Sequence, residues 1–219
     1  MIFIKNLQHK MIFCHNTYNR PHTVLETILK EKKEYPSAKF ILVYNNNKLD
    51  LSQLNKEGVI CFYIGENKGH KLGCINSVYS CLKIAYKIAE DRESILFSHD
   101  DTYLSNKIKF EKSLNLLEKH NFVSRRYIGS KHSNSDFYIM MESFLIKKES
   151  IPSFIEEYKH NQIDILIKDK LGSECPEMSF GKDVITHIEN PYLFDIENNV
   201  YGENIMGYYH IKNVRGQGD

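Results

Sequence analysis

Four short apolar runs, each ending abruptly in polar residues, constrain this chain more than any other feature. They are KMIFCH (10–15), KFILVYNNN (39–47), VICFYIG (59–65) and SILFS (94–98). Runs this short and this continuously apolar predict strands covered on both faces. Helical text separates them. Pro21 suits the first turn of a helix in which Val24, Leu25, Ile28 and Leu29 form an apolar stripe. The clearest helix spans roughly 71–90, where Leu72, Ile75, Tyr79, Leu82, Tyr86 and Ala89 recur every three or four residues. Strand, helix, strand, strand, helix, strand is the order of an α/β domain with a largely parallel sheet.

The second half reads differently. A helix is expected from Ser105 or Asn106 to Lys119, with Phe110, Leu114 and Leu117 inward. FVSRRYIG (122–129) and DFYIMMESFLIKK (136–148) predict longer strands added antiparallel to the sheet, joined by a loop, GSKHSNS (129–135). Ser150–Pro152 predicts a helix start, Asn161 a cap for a short helix, and CPEMSFGKDVITHIEN (175–190) a last helix opened by Pro176 and weakened by Gly181. The tail from Asn190 is expected to be irregular. KEKKEY (30–35) and NKIKF (106–110) read as solvated helix faces. With no internal repeat or low-complexity linker, the 219 residues read as one domain.

Composition narrows the function. Lys plus Arg is 29 against 28 for Asp plus Glu, a net charge of +1, which gives no global case for nucleic acid as a partner. The five cysteines form no CxxC pair and sit mostly in apolar segments, as reduced thiols do in a reducing compartment. No apolar run approaches the roughly 18 residues of a membrane span. The first residues make a poor signal peptide. A cytoplasmic protein is expected.

In an open α/β sheet, ligands bind outside the carboxyl ends of the strands. Here those ends carry His15 to Arg20, Asn45 to Asn47, Gly65 to Gly69 and His99-Asp100-Asp101. Carboxylate beside imidazole suits Mn²⁺ or Mg²⁺ held together with substrate phosphates, although an Asp pair also caps turns. GENKGHKLG (65–73) matches neither GxGxxG nor GxxxxGK[ST], which argues against a dinucleotide dehydrogenase and a P-loop NTPase. Lys68 and Lys71 stand where a phosphate would approach the start of the 71–90 helix, or are plain surface lysines.

The order FCHNTYNRP, YNNN, ENKGHKLGCIN, ILFSHDDTYL resembles nucleotide-sugar-dependent glycosyltransferases with the A-type fold. The resemblance implies a Rossmann-like mixed sheet flanked by helices, with a donor half at about 1–110 and an acceptor half with the C-terminal segment at about 111–219. It implies that Thr17, Asn19 and Arg20 meet the nucleotide, that Asn45 and Asn47 border base or ribose, and that Lys71 and Asn76 approach ribose and phosphate. His99-Asp100-Asp101 would fill the acidic motif, with His99 where the family has a carboxylate. Asp100 would face the donor. Asp101, His99 and a late histidine, His210, would be the metal ligands. Glu177, or equally Glu174, would be the general base for the acceptor hydroxyl. Either could instead cap its helix. Glu142, in an apolar strand, reads as an acceptor contact or as the partner of Arg125 or Arg126.

The implied reaction moves a sugar from a nucleotide diphosphate sugar, UDP rather than GDP, to a glycan or oligosaccharide acceptor. The chain would act alone or within a larger transferase. Two other readings stay open. A sugar-phosphate nucleotidyltransferase normally has a glycine-rich basic loop after its first strand, where this chain has HNTYNRP. A non-catalytic glycan- or protein-binding module on a transferase scaffold would explain His99.

Overall fold

The computed structural model describes residues 10–17, 20–46, 48–66, 70–128, 138–156, 176–196 and 202–211; the side chains of 21 and 70–72 are outside it. The first-half elements are β1 (Met11–Thr17), α1 (Pro21–Glu34), β2 (Lys39–Tyr44), α2 (Ser52–Lys56), β3 (Ile60–Tyr63), α3 (His70–Ile88) and β4 (Ser94–Ser98). There follow β5 (Thr102–Leu104), α4 (Lys107–Leu116), β6 (Phe122–Tyr127) and β7 (Ser143–Lys147). A 3₁₀ turn, Lys148–Ser150, runs into helical residues 151–156. Last come α5 (Pro176–His187), β8 (Pro191–Ile196), β9 (Gly202–Glu203) and β10 (Tyr208–His210).

Seven strands form one mixed sheet in the order β3-β2-β1-β4-β7-β6-β8. The first four are parallel, β7 is antiparallel to both β4 and β6, and β8 is parallel to β6. The expectation that both second-half strands run antiparallel is therefore half corrected, because only β7 reverses. All seven residues of β1 are buried, as a central strand with covered faces requires. Its residues alternate between two cores. Ile12 and Cys14 face Ile75, Val78, Leu82 and Phe180 from α3 and α5. Met11 and Phe13 face Val24 and Ile28 of α1 and Phe110 and Leu114 of α4. The result is three layers, helices on both faces of the sheet.

Several expectations are corrected. The inward face of α3 is Ile75, Val78, Cys81, Leu82 and Ala85, with Ala89 buried just past its end, whereas Tyr86 is exposed and lies beneath the Lys148 ammonium. KEKKEY is not simply a solvated face, since Glu31 is fully buried. In its described residues the tail from Asn190 is not irregular. It carries β8, which takes the sheet edge with a proline at its first position, where no ladder donor is needed. It also carries β9 and β10, which join β5 in a separate sheet of order β5-β10-β9.

The small sheet is seated on α4. Gly207 adopts φ 86°, and its carbonyl accepts the Ser105 and Asn106 amides at 2.9 Å each. A side chain there would lie 2.8 Å from Phe110 N, so only glycine fits. Asn106 caps α4 by accepting from Lys109 N at 3.1 Å. Among the described residues no helix is long and apolar enough to cross a membrane. The loop expected at 129–135 and the helix capped by Asn161 lie outside the described residues.

Candidate functional site

After β1 the chain winds outward to β2 and β3, then returns across β1 to lay down β4 on its other side. A crevice opens at the carboxyl ends of two strands whose connections leave in opposite directions. The β4 end is locked by short bonds. Thr102 N and Oγ1 both donate to His99 O, at 3.1 and 2.9 Å, and His99 N donates to Glu142 O at 2.9 Å. The Asp100-Asp101 corner is therefore fixed by backbone. Across the crevice Thr17 Oγ1 donates to Asp100 Oδ2 at 3.2 Å, joining the ends of β1 and β4.

Asp101 faces the C-terminal strand. Ile211 N donates to Asp101 O at 2.8 Å, and His210 Nε2 lies 3.4 Å from Asp101 Oδ2. On its other side His210 Nδ1 lies 3.6 Å from Glu142 Oε1. Glu142 is ion-paired with Arg125, which is almost fully buried; the pairing expected for Glu142 thus falls to Arg125, while Arg126 meets Asp195. Burial raises the Asp101 carboxyl. Its hydrogen bond to His210 and the positive charge of His99, His210 and Arg20 more than offset this, and hold it below the usual carboxylate range. Arg20, which precedes the first residue of α1, thus acts on the same acid as the β10 histidine.

Glu177 belongs to the same neighbourhood. It opens α5, and α5 packs beside α3. The Cys74 thiol of α3 is pushed up to about 12, first by burial and then by the negative charge of Glu177, Asp101 and Asp100. The charges of a carboxylate on α5 and of the two at the β4 end are therefore felt at Cys74, in the first part of α3. A cleft of about 380 Å³ adjoins Thr17, walled by Val24, Leu25, Leu42 and Leu54 and rimmed by Lys48, Asp50 and Gln53.

Thr17, Asp100, Asp101 and His210 are thus drawn to one end of the sheet, and the charges of Arg20 and Glu177 act on groups there. His99 is buried there, its ring edge-on to Phe97 at 5.1 Å. Asn45 is half-buried at the end of β2 and Asn76 half-buried on α3. Lys71 lies in the first turn of α3 with its side chain undescribed, and Asn19, Asn47 and Glu174 lie outside the described residues. Among the described residues no three His, Cys, Asp or Glu side chains are grouped to hold a metal ion. Asp101 and His210 supply an oxygen and an imidazole donor side by side. Such a pair fits a hard divalent cation that draws its other ligands from substrate phosphates.

One network was not legible beforehand. Glu31 receives His15 Nε2 at 2.7 Å and Tyr208 Oη at 2.8 Å, all three side chains being fully buried. The signal available was spacing, because Glu31 continues the inward stripe of Val24 and Ile28.

No protein-family model matches the chain, and no curated protein matches it in sequence. Solved structures do. A protein described as a nucleotide-diphospho-sugar transferase from Desulfovibrio desulfuricans G20 superposes with a TM-score of 0.53 at 11% identity, over 87% of this chain and 81% of that one. The 4-diphosphocytidyl-2C-methyl-D-erythritol synthase from Anaerococcus prevotii gives 0.52 at 14% identity, over 86% and 87%. The bifunctional IspDF of Campylobacter jejuni gives 0.51 at 10%, over 87% of this chain and 50% of that one. At such identities the likeness is one of fold. The chain has the Rossmann-like mixed-sheet fold of nucleotide-diphospho-sugar transferases.

Proposed function

We propose that this chain is a transferase acting on a nucleotide diphosphate sugar, moving the sugar from a UDP-linked donor to a hydroxyl of a glycan or oligosaccharide. The observation that carries this reading is the convergence of Thr17–Asp100, Asp101–His210 and Arg20 at the carboxyl ends of β1 and β4, with Glu177 within electrostatic reach. We read the chain as a single domain with its donor half in about the first 110 residues and its acceptor half beyond.

In this reading Thr17, Asn19, Arg20, Asn45 and Asn47 receive the nucleoside, the base entering the cleft beside Thr17. Lys71 and Asn76 approach ribose and phosphate from α3, and Asp100 faces ribose and donor sugar. A divalent cation, Mn²⁺ or Mg²⁺, would be held by Asp101 and His210, with His99 as third candidate, and supplies positive charge against the leaving diphosphate. Glu177, or Glu174 beside it, takes the acceptor's proton. The acceptor oxygen bonds to the anomeric carbon, the bond from that carbon to the diphosphate oxygen breaks, and UDP leaves with the electron pair. Arg20 adds fixed positive charge at the same end of the sheet.

Nucleotidyl transfer is the second reading, supported by a structural neighbour named as a diphosphocytidyl synthase. There a sugar-phosphate oxygen would attack the α-phosphorus of a nucleoside triphosphate and release pyrophosphate. The segment between β1 and α1, residues 18–20, holds no glycine to wrap a triphosphate, which favours glycosyl transfer. The test is to supply UDP-sugars in one set of reactions and nucleoside triphosphates with sugar 1-phosphates in another. UDP release from the first, lost in Glu177→Gln, supports glycosyl transfer. Pyrophosphate from the second alone supports nucleotidyl transfer. Neither product under Mn²⁺ or Mg²⁺, over a range of acceptors, returns the weight to a binding module.

A further inference from the structure

Glu31 is fully buried in line with Val24 and Ile28, a position that an apolar residue ordinarily takes. A buried carboxylate is costly unless both oxygens are satisfied, and an apolar residue of the same shape is often as stable. Both oxygens are satisfied here, one by His15 of β1 and one by Tyr208 of β10. His15 Nδ1 has no partner among the described residues, so all of the ring's bonding goes to Glu31.

The two anchors share a relation to the site. Residues two apart on a strand point to the same face. Two positions beyond His15 is Thr17, which meets Asp100. Two positions beyond Tyr208 is His210, which meets Asp101. One carboxylate therefore ties together the two strands that bring those contacts to the β4 end. β10 spans three residues and pairs with the short strands β5 and β9, with Tyr208 N donating to Asn204 Oδ1 at 3.1 Å and, just past its end, Ile211 N donating to Asp101 O at 2.8 Å. None of these bonds ties it to β1, which the Glu31 bridge does.

We infer that Glu31 is a positioning residue that, through His15 and Tyr208, fixes β10 relative to β1 and so holds His210 against Asp101. The inference rests on the reading of Asp101 and His210 as the cation pair of a transferase.

The test uses Tyr208→Phe, which removes one hydroxyl and keeps the ring packed on Phe110. Binding of Mn²⁺ with UDP is measured by calorimetry in the wild type, Tyr208→Phe, His210→Ala and the double variant. Tyr208→Phe is expected to weaken binding on the order of ten-fold, as loss of a ligand's support typically does. In the His210→Ala background it is expected to change nothing further. Equal losses in both backgrounds, or no loss in the first, overturn the inference, since a purely structural role does not depend on His210. If the wild type binds no Mn²⁺ with UDP, the transferase reading fails, and the His210 ring carbon–proton signals in NMR decide the inference separately. A displaced or doubled His210 signal in Tyr208→Phe supports it; an unmoved signal overturns it.

Discussion

Truncating Glu142 to alanine is expected to cost more stability than any surface change in this protein. The Arg125 side chain is 1% exposed, and its Nε has no partner among the described residues. Its guanidinium relies on the Nη2 contact to Glu142 Oε1. Removing the carboxylate leaves a buried cation without its ion-pair partner, a change that typically costs about 3–5 kcal/mol. For a chain of this size each kcal/mol lowers the midpoint by roughly 2–4 °C, so a fall of roughly 6–20 °C is expected. The measurement is thermal unfolding followed by circular dichroism, repeated for Arg125→Met/Glu142→Leu. Replacing both partners removes the stranded charge, so the double variant is expected to recover most of the loss. A single variant within about 2 °C of wild type, or a double variant as unstable as the single, would refute the reasoning.

Other tests bear on separate parts of the account. Because its folded pKa is raised, the Cys74 thiol favours the native state below the ordinary thiol range, and this contribution is lost as pH rises from there toward about 12. Cys74 should therefore resist alkylation at pH 8.5, and Glu177→Gln should shift its pH–reactivity curve downward; an unmoved curve would remove Glu177 from the site. Gly207→Ala combines positive φ with a clash against α4 and should destabilise by about 2 kcal/mol or more, whereas Gly58→Ala, with φ 72° and open space around it, carries the conformational cost alone. Comparable urea midpoints for the two glycine variants would contradict this. Glu177→Gln should lower turnover by roughly 10²–10⁴ with little change in donor binding, read from initial rates over a range of UDP-sugar concentrations.

What the sequence made legible follows from how each element is stabilised. β1, β2 and β4 are covered on both faces, so their apolar runs are unbroken and stand out. β8 is an edge strand with half-exposed residues, and β9 and β10 span only two and three residues, so no run marks them. The expected stripe of α3 departs from the structure at Tyr86 because a tyrosine counts as apolar in a stripe, yet here it is solvent-facing beneath a lysine. Glu31 was hidden for the opposite reason. Lys30, Lys33 and Glu34 beside it in KEKKEY are exposed, and the partners that explain its burial lie on other strands, His15 on β1 and, 177 residues away in sequence, Tyr208 on β10. The polar strand ends were visible because the sheet rule says where to look. The meeting of His210 with both Asp101 and Glu142 depends on a small sheet that no local pattern announces.

The central claim is that the crevice between β1 and β4 binds a nucleoside diphosphate together with a divalent cation. Calorimetric titration of UDP, first with Mn²⁺ and then with EDTA, on wild type and Asp101→Ala, tests it most directly. The account predicts roughly micromolar binding that requires the cation and fails in the variant. Absence of binding with either Mn²⁺ or Mg²⁺, or binding that Asp101→Ala leaves unchanged, would contradict it.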